Sequence, residues 1–387
     1  MAHTPSSPLK IGFIGGALNS AVGYTHFNAA RLDGHFQVEA GCFSRDPGQN
    51  DTTASTYGID NSRTHASWEE LLEKEKTKLD AVVVLTPTPS HAEIVIEALN
   101  SGYAVICEKS LGISSQECQE IEKAVQKNNG FLAVTFNYSG YPMVRELRRM
   151  IQRKQLGEIQ QIHIEMPQEG YLREAASPQD WRRKDYAIPT VSLDLGVHVH
   201  HLIDFLTLGA SPQKILGDHA SYGPFPGLID NVYCIAHYEK NIRVKAWWGK
   251  TALGYRNGLL VRIFGTHGSA TWQQTSPEIL HISDSTGRHT TLERGGNDTQ
   301  IANETRYNRF KPGHPSGFIE AFANLYTDFA QAILHGEQRR HSDDSFVFGA
   351  QQAAAGLSFL EALHESSLTQ MWVEMNAKES LSNKEQS

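Results

Sequence analysis

The stretch "IGFIGGALNSAVGYTH", residues 11–26, begins as a short apolar run and then becomes rich in glycine. An apolar run that ends at glycines and leads into a helical pattern is typical of a strand, a tight turn and a helix. Glycines at such a turn allow positive φ and a close approach of the backbone. This stretch therefore predicts that the first part of the chain forms βαβ units around a parallel sheet.

The same alternation continues through the first third of the chain. Apolar runs recur between helical patterns, and Ser114 and Glu117 have the spacing of a capping box. Apolar strands separated by helices indicate a parallel sheet covered on both faces. We predict a doubly wound α/β domain over residues 1–136. Its predicted strands are 11–14, 38–43, 81–85, 104–107 and 131–135, and its predicted helices are 21–32, 68–74, 92–100 and 115–128.

The pattern changes after residue 136, where strands follow one another and helices close the chain. This order predicts an α+β domain over residues 137–387, with a large, mostly antiparallel sheet. Residues 283–315 have few apolar positions and predict a long loop, and the polar tail 376–387 predicts a frayed end. The predicted strands are 159–166, 233–238, 243–248, 260–265 and 269–272, and the predicted helices are 143–152, 192–206, 318–334 and 346–364.

Composition restricts the class of protein. A chain of 387 residues, 40% hydrophobic and 20% charged, fits two globular domains. A formal net charge of -8 argues against a general nucleic-acid binder, and no apolar run approaches the roughly 18 residues of a membrane span. The four cysteines include no CxxC pair, and residues 1–10 lack the apolar core of a signal peptide. We expect a reduced, cytoplasmic protein without a membrane or nucleic-acid partner.

Gly15, Gly16 and Gly23 lie where the first predicted strand gives way to a helix. Backbone amides and a helix N-terminus at this place can hold the pyrophosphate of a dinucleotide. The interval from Gly15 to Gly23 is longer than in the G-x-G-x-x-G pattern, so a tight turn without a ligand is the alternative. We interpret the loop as a dinucleotide-binding loop.

The end of the second predicted strand bears on the choice of cofactor. An acidic residue there would bind a ribose 2′-hydroxyl, whereas an arginine would meet a 2′-phosphate. Ser44 and Arg45 favour NADP, while Asp46 favours NAD. We expect an NAD(P) cofactor, with NADP favoured.

"CEKSLG", residues 107–112, places a Glu and a Lys where a buried strand ends. Such a pair is costly unless it is neutralised or used. Lys109 would stand at the carboxyl end of a parallel strand, where open α/β sheets bind ligands. An ordinary solvated turn is the alternative.

"SLDLGVHVHHLIDFL", residues 192–206, predicts a helix with Asp194, His198 and His201 on one face. A carboxylate one turn away can orient or tune an imidazole, and a histidine pKa of about 6.5 suits proton transfer at neutral pH. The same three side chains could instead supply the ligands of a catalytic zinc. His200 and Asp204 lie on the opposite side.

Five motifs together carry a family resemblance: Gly15-Gly16…Gly23-x-x-His26, "TPTPSH" (86–91), "CEKSLG", "FNYSGYP" (136–142) and "SLDLGVHVHHLIDFL". With them the chain resembles the Gfo/Idh/MocA family over essentially its whole length. The resemblance implies an N-terminal Rossmann domain and a second domain whose open-faced sheet joins subunits into a homodimer or homotetramer. It also implies an NAD(P)-dependent dehydrogenase or reductase that acts on a CH–OH group of a sugar, cyclitol or sugar derivative.

The resemblance also implies catalytic roles. Lys109 would polarise the reacting oxygen and share its proton, His198 would be the general base, and Asp194 would orient it or bind a neighbouring hydroxyl. No metal is expected. Ser110 replaces the proline of the family's E-K-P motif, where the peptide can be cis in relatives, and Pro189 and Thr190 replace glycines that precede the catalytic helix.

The implied cofactor contacts lie on the glycine loop and at strand ends: Gly15, Gly16, Ala17, Ser20, Ala21, Gly23, His26, Ser44, Arg45, Thr86, Pro87, His91, Glu108, Lys109 and Asn137. The candidate substrate contacts are Tyr171, Trp181, Arg182, Tyr186 and His201, for which loop packing is the alternative. Two other functions stay open. One is a glycosidase-like or epimerising enzyme that recycles a bound NAD, and the other is a regulator that binds the cofactor without chemistry.

Overall fold

The computed structural model describes residues 7–174, 176–336 and 346–375. The tail predicted at 376–387 lies outside the described residues. The chain forms two compact units. Among the described residues, the first unit holds those up to Arg145 and those between Arg294 and Ala355, and the second holds those between Glu146 and Glu293 and those between Gly356 and Met375. The chain thus returns to its first unit after residue 293, and the predicted boundary between residues 136 and 137 stays a prediction.

The first unit contains a five-stranded parallel sheet in the order β2-β1-β3-β4-β5. Strand β1 has β2 on one side and β3 on the other, so the strand order reverses at its carboxyl end, where such sheets bind ligands. The predicted doubly wound parallel sheet is confirmed. The elements are β1 Leu9–Gly15, α1 Gly23–Leu32, β2 Phe36–Cys42, α2 Pro47–Tyr57, α3 Trp68–Lys74, β3 Ala81–Leu85, α4 His91–Asn100, β4 Ala104–Cys107, α5 Ser115–Asn128 and β5 Leu132–Val134.

The second sheet has nine strands in the order β13-β12-β11-β10-β6-β9-β8-β7-β14. Its strand pairs are antiparallel except for β6 with β9, which confirms the mostly antiparallel sheet. The remaining elements are α6 Pro142–Gln152, β6 Ile159–Pro167, a π-helical turn Ser192–Gly196, α7 Val197–Thr207, β7 Pro212–Ala220, β8 Asn231–Tyr238, β9 Arg243–Gly249, β10 Leu260–Gly265, β11 Gly268–Gln273, β12 Ile279–Asp284, β13 His289–Glu293, α8 Phe318–Leu334, α9 Ala350–Thr369 and β14 Val373–Glu374.

Helix α2 is absent from the sequence prediction because its residues are mostly polar and show no apolar stripe. Capping residues at its two ends explain why this helix forms. The Asp46 carboxylate accepts a hydrogen bond from the Gln49 amide at 2.7 Å, and Pro47 occupies the first turn. Gly58, with φ 72°, ends the helix in the left-handed conformation.

The long loop predicted over 283–315 is wrong in part, because β13 lies inside it. Four of the five β13 side chains are exposed, so the strand lacks the alternation that reveals a half-buried strand. It pairs on one side only, with β12. Strands β7, β12 and β14 are also absent from the prediction.

Helix α8 packs with the core of the first unit although it lies far from it in sequence. Phe322, Tyr326 and Phe329 belong to the same buried cluster as Phe13 and Phe27. The apolar face of α8 therefore packs against α1 and contributes to the buried core of this unit.

Candidate functional site

The glycine loop after β1 has a conformation and a packing that only glycine fits at three positions. Gly15 and Gly16 have φ of 83° and 79°, and a β-carbon on Gly23 would lie 2.1 Å from the Gly16 carbonyl oxygen. Ser20 Oγ accepts a hydrogen bond from the Gly23 amide at 3.2 Å, and the Tyr57 hydroxyl donates one to the Gly16 carbonyl at 3.3 Å. The loop is thus a tight glycine cradle at the N-terminus of α1, which fits the pyrophosphate of a dinucleotide.

The loop after β2 is held by its own polar side chains. Asn50 accepts a hydrogen bond from the Phe43 amide at 2.7 Å, and Ser44 Oγ accepts one from the Asp46 amide at 3.1 Å. Asp46 caps α2, as described above, whereas the Arg45 side chain is exposed.

Glu108 lies at the centre of a buried hydrogen-bond network. Its carboxylate accepts from His26 Nε2 at 3.1 Å and from the Thr135 hydroxyl. Because a carboxylate only accepts, His26 carries its proton on Nε2, and His26 Nδ1 contacts the Tyr326 hydroxyl at 2.8 Å. Burial raises the pKa of Glu108, but the His26 contacts and the charge of Lys109 outweigh it and lower that pKa overall. Glu108 therefore anchors the loop that carries Lys109.

Replacing Glu108 with Gln is expected to destabilise the protein by about 2 kcal/mol at pH 7, because a charged hydrogen-bond acceptor is lost. A carboxylate with a lowered folded-state pKa adds stability above its unfolded pKa of about 4.3 and loses it as the pH falls through the folded value. Thermal unfolding measured against pH should therefore show the gap between parent and variant closing below about pH 4.

Glu120→Gln is the matched control, since the Glu120 side chain is 50% exposed and pairs with Lys123 on the surface. It should change stability little. A gap between parent and Glu108→Gln that stays constant with pH would show that Glu108 is not ionised.

His91 joins the loops that follow β3 and β4. Its Nδ1 lies 2.7 Å from the Ser110 carbonyl oxygen and its Nε2 lies 2.7 Å from the Thr86 carbonyl oxygen. In the loop that follows β4, the Lys109–Ser110 peptide bond is cis. His91 is buried, Thr86 is half-buried and Pro87 is exposed. The ring thus holds together the strand ends at which Lys109 is placed.

Asn137 supplies a buried donor at the end of β5. The residue is 2% exposed, and its Nδ2 atom has no hydrogen-bond partner among the described residues. A buried donor without a partner is costly, and a bound ligand that accepts a hydrogen bond would remove that cost. Together with the glycine cradle, this donor fits a nicotinamide dinucleotide.

In the second unit, Asp194 lies in the π-helical turn that precedes α7. Its carboxylate accepts hydrogen bonds from Lys250 Nζ and, at 3.3 Å, from Arg182 Nη2. The turn is held against β9, where Trp248 Nε1 donates to Ser192 Oγ at 3.1 Å. The helix predicted over 192–206 is present, but its first five residues form a π-helical turn and not regular α-helix. The wider turn changes the angle per residue between Asp194 and His198.

His198 and His201 are buried in α7, with 6% and 3% of their surfaces exposed. Burial, with the neighbouring His200 and Arg148, lowers the pKa of His201 well below 6.5. His201 is therefore neutral at physiological pH, and its ring stacks on that of Phe205.

Several predicted substrate residues gather near Asp194. The Tyr171 hydroxyl donates to the Arg182 carbonyl at 3.5 Å, the Arg182 guanidinium lies 4.3 Å from the Trp181 ring centre, and the Tyr186 hydroxyl donates to the Trp181 carbonyl at 3.3 Å. Aromatic faces thus lie beside a carboxylate and two cations.

Lys250 is the member of this group that the sequence analysis missed. It follows directly on "AWWG", the end of a mostly buried strand, and is itself buried. Lys109 was singled out as a cation close to the end of a buried strand, and the same signal could have found Lys250.

Within residues 7–174, 176–336 and 346–375, no group of three or more His, Cys, Asp or Glu side chains is arranged to hold a metal ion. In the same part of the chain, no helix is both long enough and apolar enough to cross a membrane.

The fold and the glycine cradle define an NAD-binding oxidoreductase with a Rossmann domain. The sequence profile of the oxidoreductase family with an NAD-binding Rossmann fold matches residues 9–136, and that of the GFO/IDH/MocA C-terminal domain matches residues 144–271. The chain is 31% identical to the uncharacterized oxidoreductase YfiI of Bacillus subtilis over 85% of this chain and 86% of that protein. The chain therefore belongs to the Gfo/Idh/MocA oxidoreductase family, as predicted.

Relatives with named activities match more distantly. Inositol 2-dehydrogenase of Rhizobium meliloti is 25% identical over 67% of this chain and 72% of that protein. The crystal structure of an inositol dehydrogenase homolog from Azotobacter vinelandii, complexed with NADH and myo-inositol, has a TM-score of 0.87 and 27% identity. The match between the two structures covers 96% of this chain and 98% of the Azotobacter chain.

Proposed function

We propose that this oxidoreductase transfers a hydride between NAD(P) and a hydroxyl-bearing carbon of a sugar, cyclitol or sugar derivative. The observation that carries the proposal is the group formed by Asp194, Lys250 and Arg182 beside the rings of Tyr171 and Trp181. Hydrogen-bond donors and an acceptor beside aromatic faces suit a ring that carries several hydroxyls. The relatives that act on or bind inositol support this substrate class.

The proposed roles are assigned residue by residue. The bound nicotinamide supplies or accepts the hydride. Lys109 polarises the reacting oxygen and shares its proton. His198 acts as the general base that takes the hydroxyl proton during oxidation, and Asp194 orients it or binds a neighbouring hydroxyl.

The proposed cofactor preference is NADP over NAD. Asp46 is engaged as the cap of α2, while Arg45 is exposed beside the end of β2. A guanidinium in this place can bind a 2′-phosphate in a bidentate manner. A KM for NADP below that for NAD would support the preference, and the reverse order would overturn it.

We also propose a homo-oligomer that works in the cytoplasm. On the nine-stranded sheet, Tyr233 and Ile235 are 39% and 47% exposed, and the Tyr233 ring stacks on Trp247 at 6.2 Å. A second copy of the chain would cover this apolar face. Light scattering should report a dimer or tetramer, and a monomer would contradict the proposed oligomer.

The proposed cytoplasmic location is supported by the cysteines. All four are buried free thiols, as a reducing compartment allows.

The experiment that tests the function is absorbance at 340 nm. Purified protein is mixed with NAD or NADP and with free sugars, inositols, sugar acids, anhydrosugars and glycosides. We expect absorbance to rise with at least one compound. No change on any compound, with cofactor bound tightly to the purified protein, would overturn net hydride transfer in favour of internal recycling. No change without cofactor binding would favour the loss of the chemistry altogether.

A further inference from the structure

Lys250 has a backbone that is fixed from both sides. Its amide donates a hydrogen bond to the Asp230 carbonyl at 2.9 Å, and its carbonyl accepts one from the Tyr171 amide at 3.0 Å. The preceding Gly249 has no room for a side chain, because a β-carbon there would lie 2.2 Å from Asn231 Oδ1. The direction in which the Lys250 side chain leaves the end of β9 is therefore set by the sheet.

The ammonium group at the end of this side chain contacts a carboxylate and lies beside an aromatic ring. Nζ donates to the Asp194 carboxylate and lies 5.1 Å from the centre of the Tyr171 ring. The side chains of Lys250 and Asp194 are 9% and 13% exposed, so water screens this ion pair only weakly. Arg182 Nη2 also contacts the Asp194 carboxylate, at 3.3 Å, and the Arg182 side chain is 20% exposed.

A buried ion pair of this kind restricts both partners. Taking away one partner leaves an uncompensated buried charge, whereas neutral replacements for both leave none. The Lys250 ammonium therefore restricts the orientation of the Asp194 carboxylate. Because β9 also binds the π-helical turn through Trp248 and Ser192, the same strand places both partners.

We propose that Lys250 is a positioning residue that acts through Asp194, holding this carboxylate in the orientation that the reaction needs. The proposal rests on the proposed function, in which Asp194 serves hydride transfer by orienting the base or binding a hydroxyl. Lys250 needs no contact with the reacting atoms in this role.

The test is a double-variant cycle with two readouts. The variants are Lys250→Met, Asp194→Asn and the two combined, with Lys250→Arg as the conservative replacement. In the 340 nm assay, Lys250→Met should lower kcat by up to about 10²-fold, as misplacement of a reacting group does. Lys250→Arg should recover part of that loss. The combined variant should be no slower than Asp194→Asn alone, because the proposed effect of Lys250 on the reaction passes through Asp194.

The second readout is thermal unfolding, which needs no substrate. Lys250→Met should lower the melting temperature, and the added Asp194→Asn should raise it again. The control is Lys154→Met, which breaks an ammonium–carboxylate pair on the surface. Lys154 Nζ lies 2.6 Å from Glu158 Oε1, and the two side chains are 71% and 68% exposed. It should leave both readouts unchanged.

The outcomes separate this inference from the proposed function. Full kcat in Lys250→Met, or strictly additive losses in kcat, would overturn the inference while the function stands. Additive shifts in melting temperature would show that the two residues are not coupled and would overturn it as well. A parent protein without turnover on any compound would overturn the proposed function, and the unfolding cycle would still report on the ion pair.

Discussion

Replacing Lys109 with Ala is expected to lower kcat/KM by about 10³-fold or more, since both a proton donor and a positive charge beside the reacting oxygen would be lost. The structure places Lys109 two residues after the end of β4, in a loop that is anchored by Glu108 and His91. An ammonium held by such a loop is positioned before the substrate arrives. The measurement is the 340 nm assay on a compound that the parent protein oxidises.

Two further variants show what Lys109 contributes. Lys109→Arg keeps the charge, but a guanidinium does not release its proton at neutral pH, so most of the activity should stay lost. Lys123→Ala, at a side chain 68% exposed on α5, is the matched control and should retain full activity. Full activity in Lys109→Ala would show that the lysine has no part in the chemistry.

Replacing Gly23 with Ala should nearly abolish cofactor binding. The added methyl group would lie 2.1 Å from the Gly16 carbonyl oxygen, and backbone atoms cannot move aside as a flexible side chain can. The turn must open, and the backbone amides of the cradle then no longer point toward the pyrophosphate. Loss of two hydrogen bonds to a charged pyrophosphate, about 1.5–3 kcal/mol each, corresponds to weakening of about 10²–10⁴-fold.

The measurement is titration of the nicotinamide cofactor by fluorescence, which does not depend on turnover. Gly170→Ala is the control, because a β-carbon at Gly170 meets nothing within 4 Å. It should bind the cofactor as the parent does. Unchanged affinity in a folded Gly23→Ala protein would mean that the cofactor does not use this turn.

Much of the fold could be predicted from local patterns. Strands β3 and β4 and helices α3 and α5 have the predicted bounds, because apolar runs and capping residues are encoded within a few positions. Elements whose signal is weak were missed. Helix α2 is polar and depends on its caps, and β13 has mostly exposed side chains.

For the site, the sequence singled out the glycine loop and Lys109 by their place at strand ends, and Asp194 and His198 by their shared face of a predicted helix. The family resemblance added their roles. Their partners were decided by the tertiary structure. Asp194 meets Lys250, 56 positions later, and Glu108 meets Thr135 and, through His26, Tyr326. Side-chain pairs across a sheet or between strand ends depend on register and topology, which no local pattern records. The sequence by itself thus determined which residues are chemically unusual, and only the packed chain decided which charge faces which.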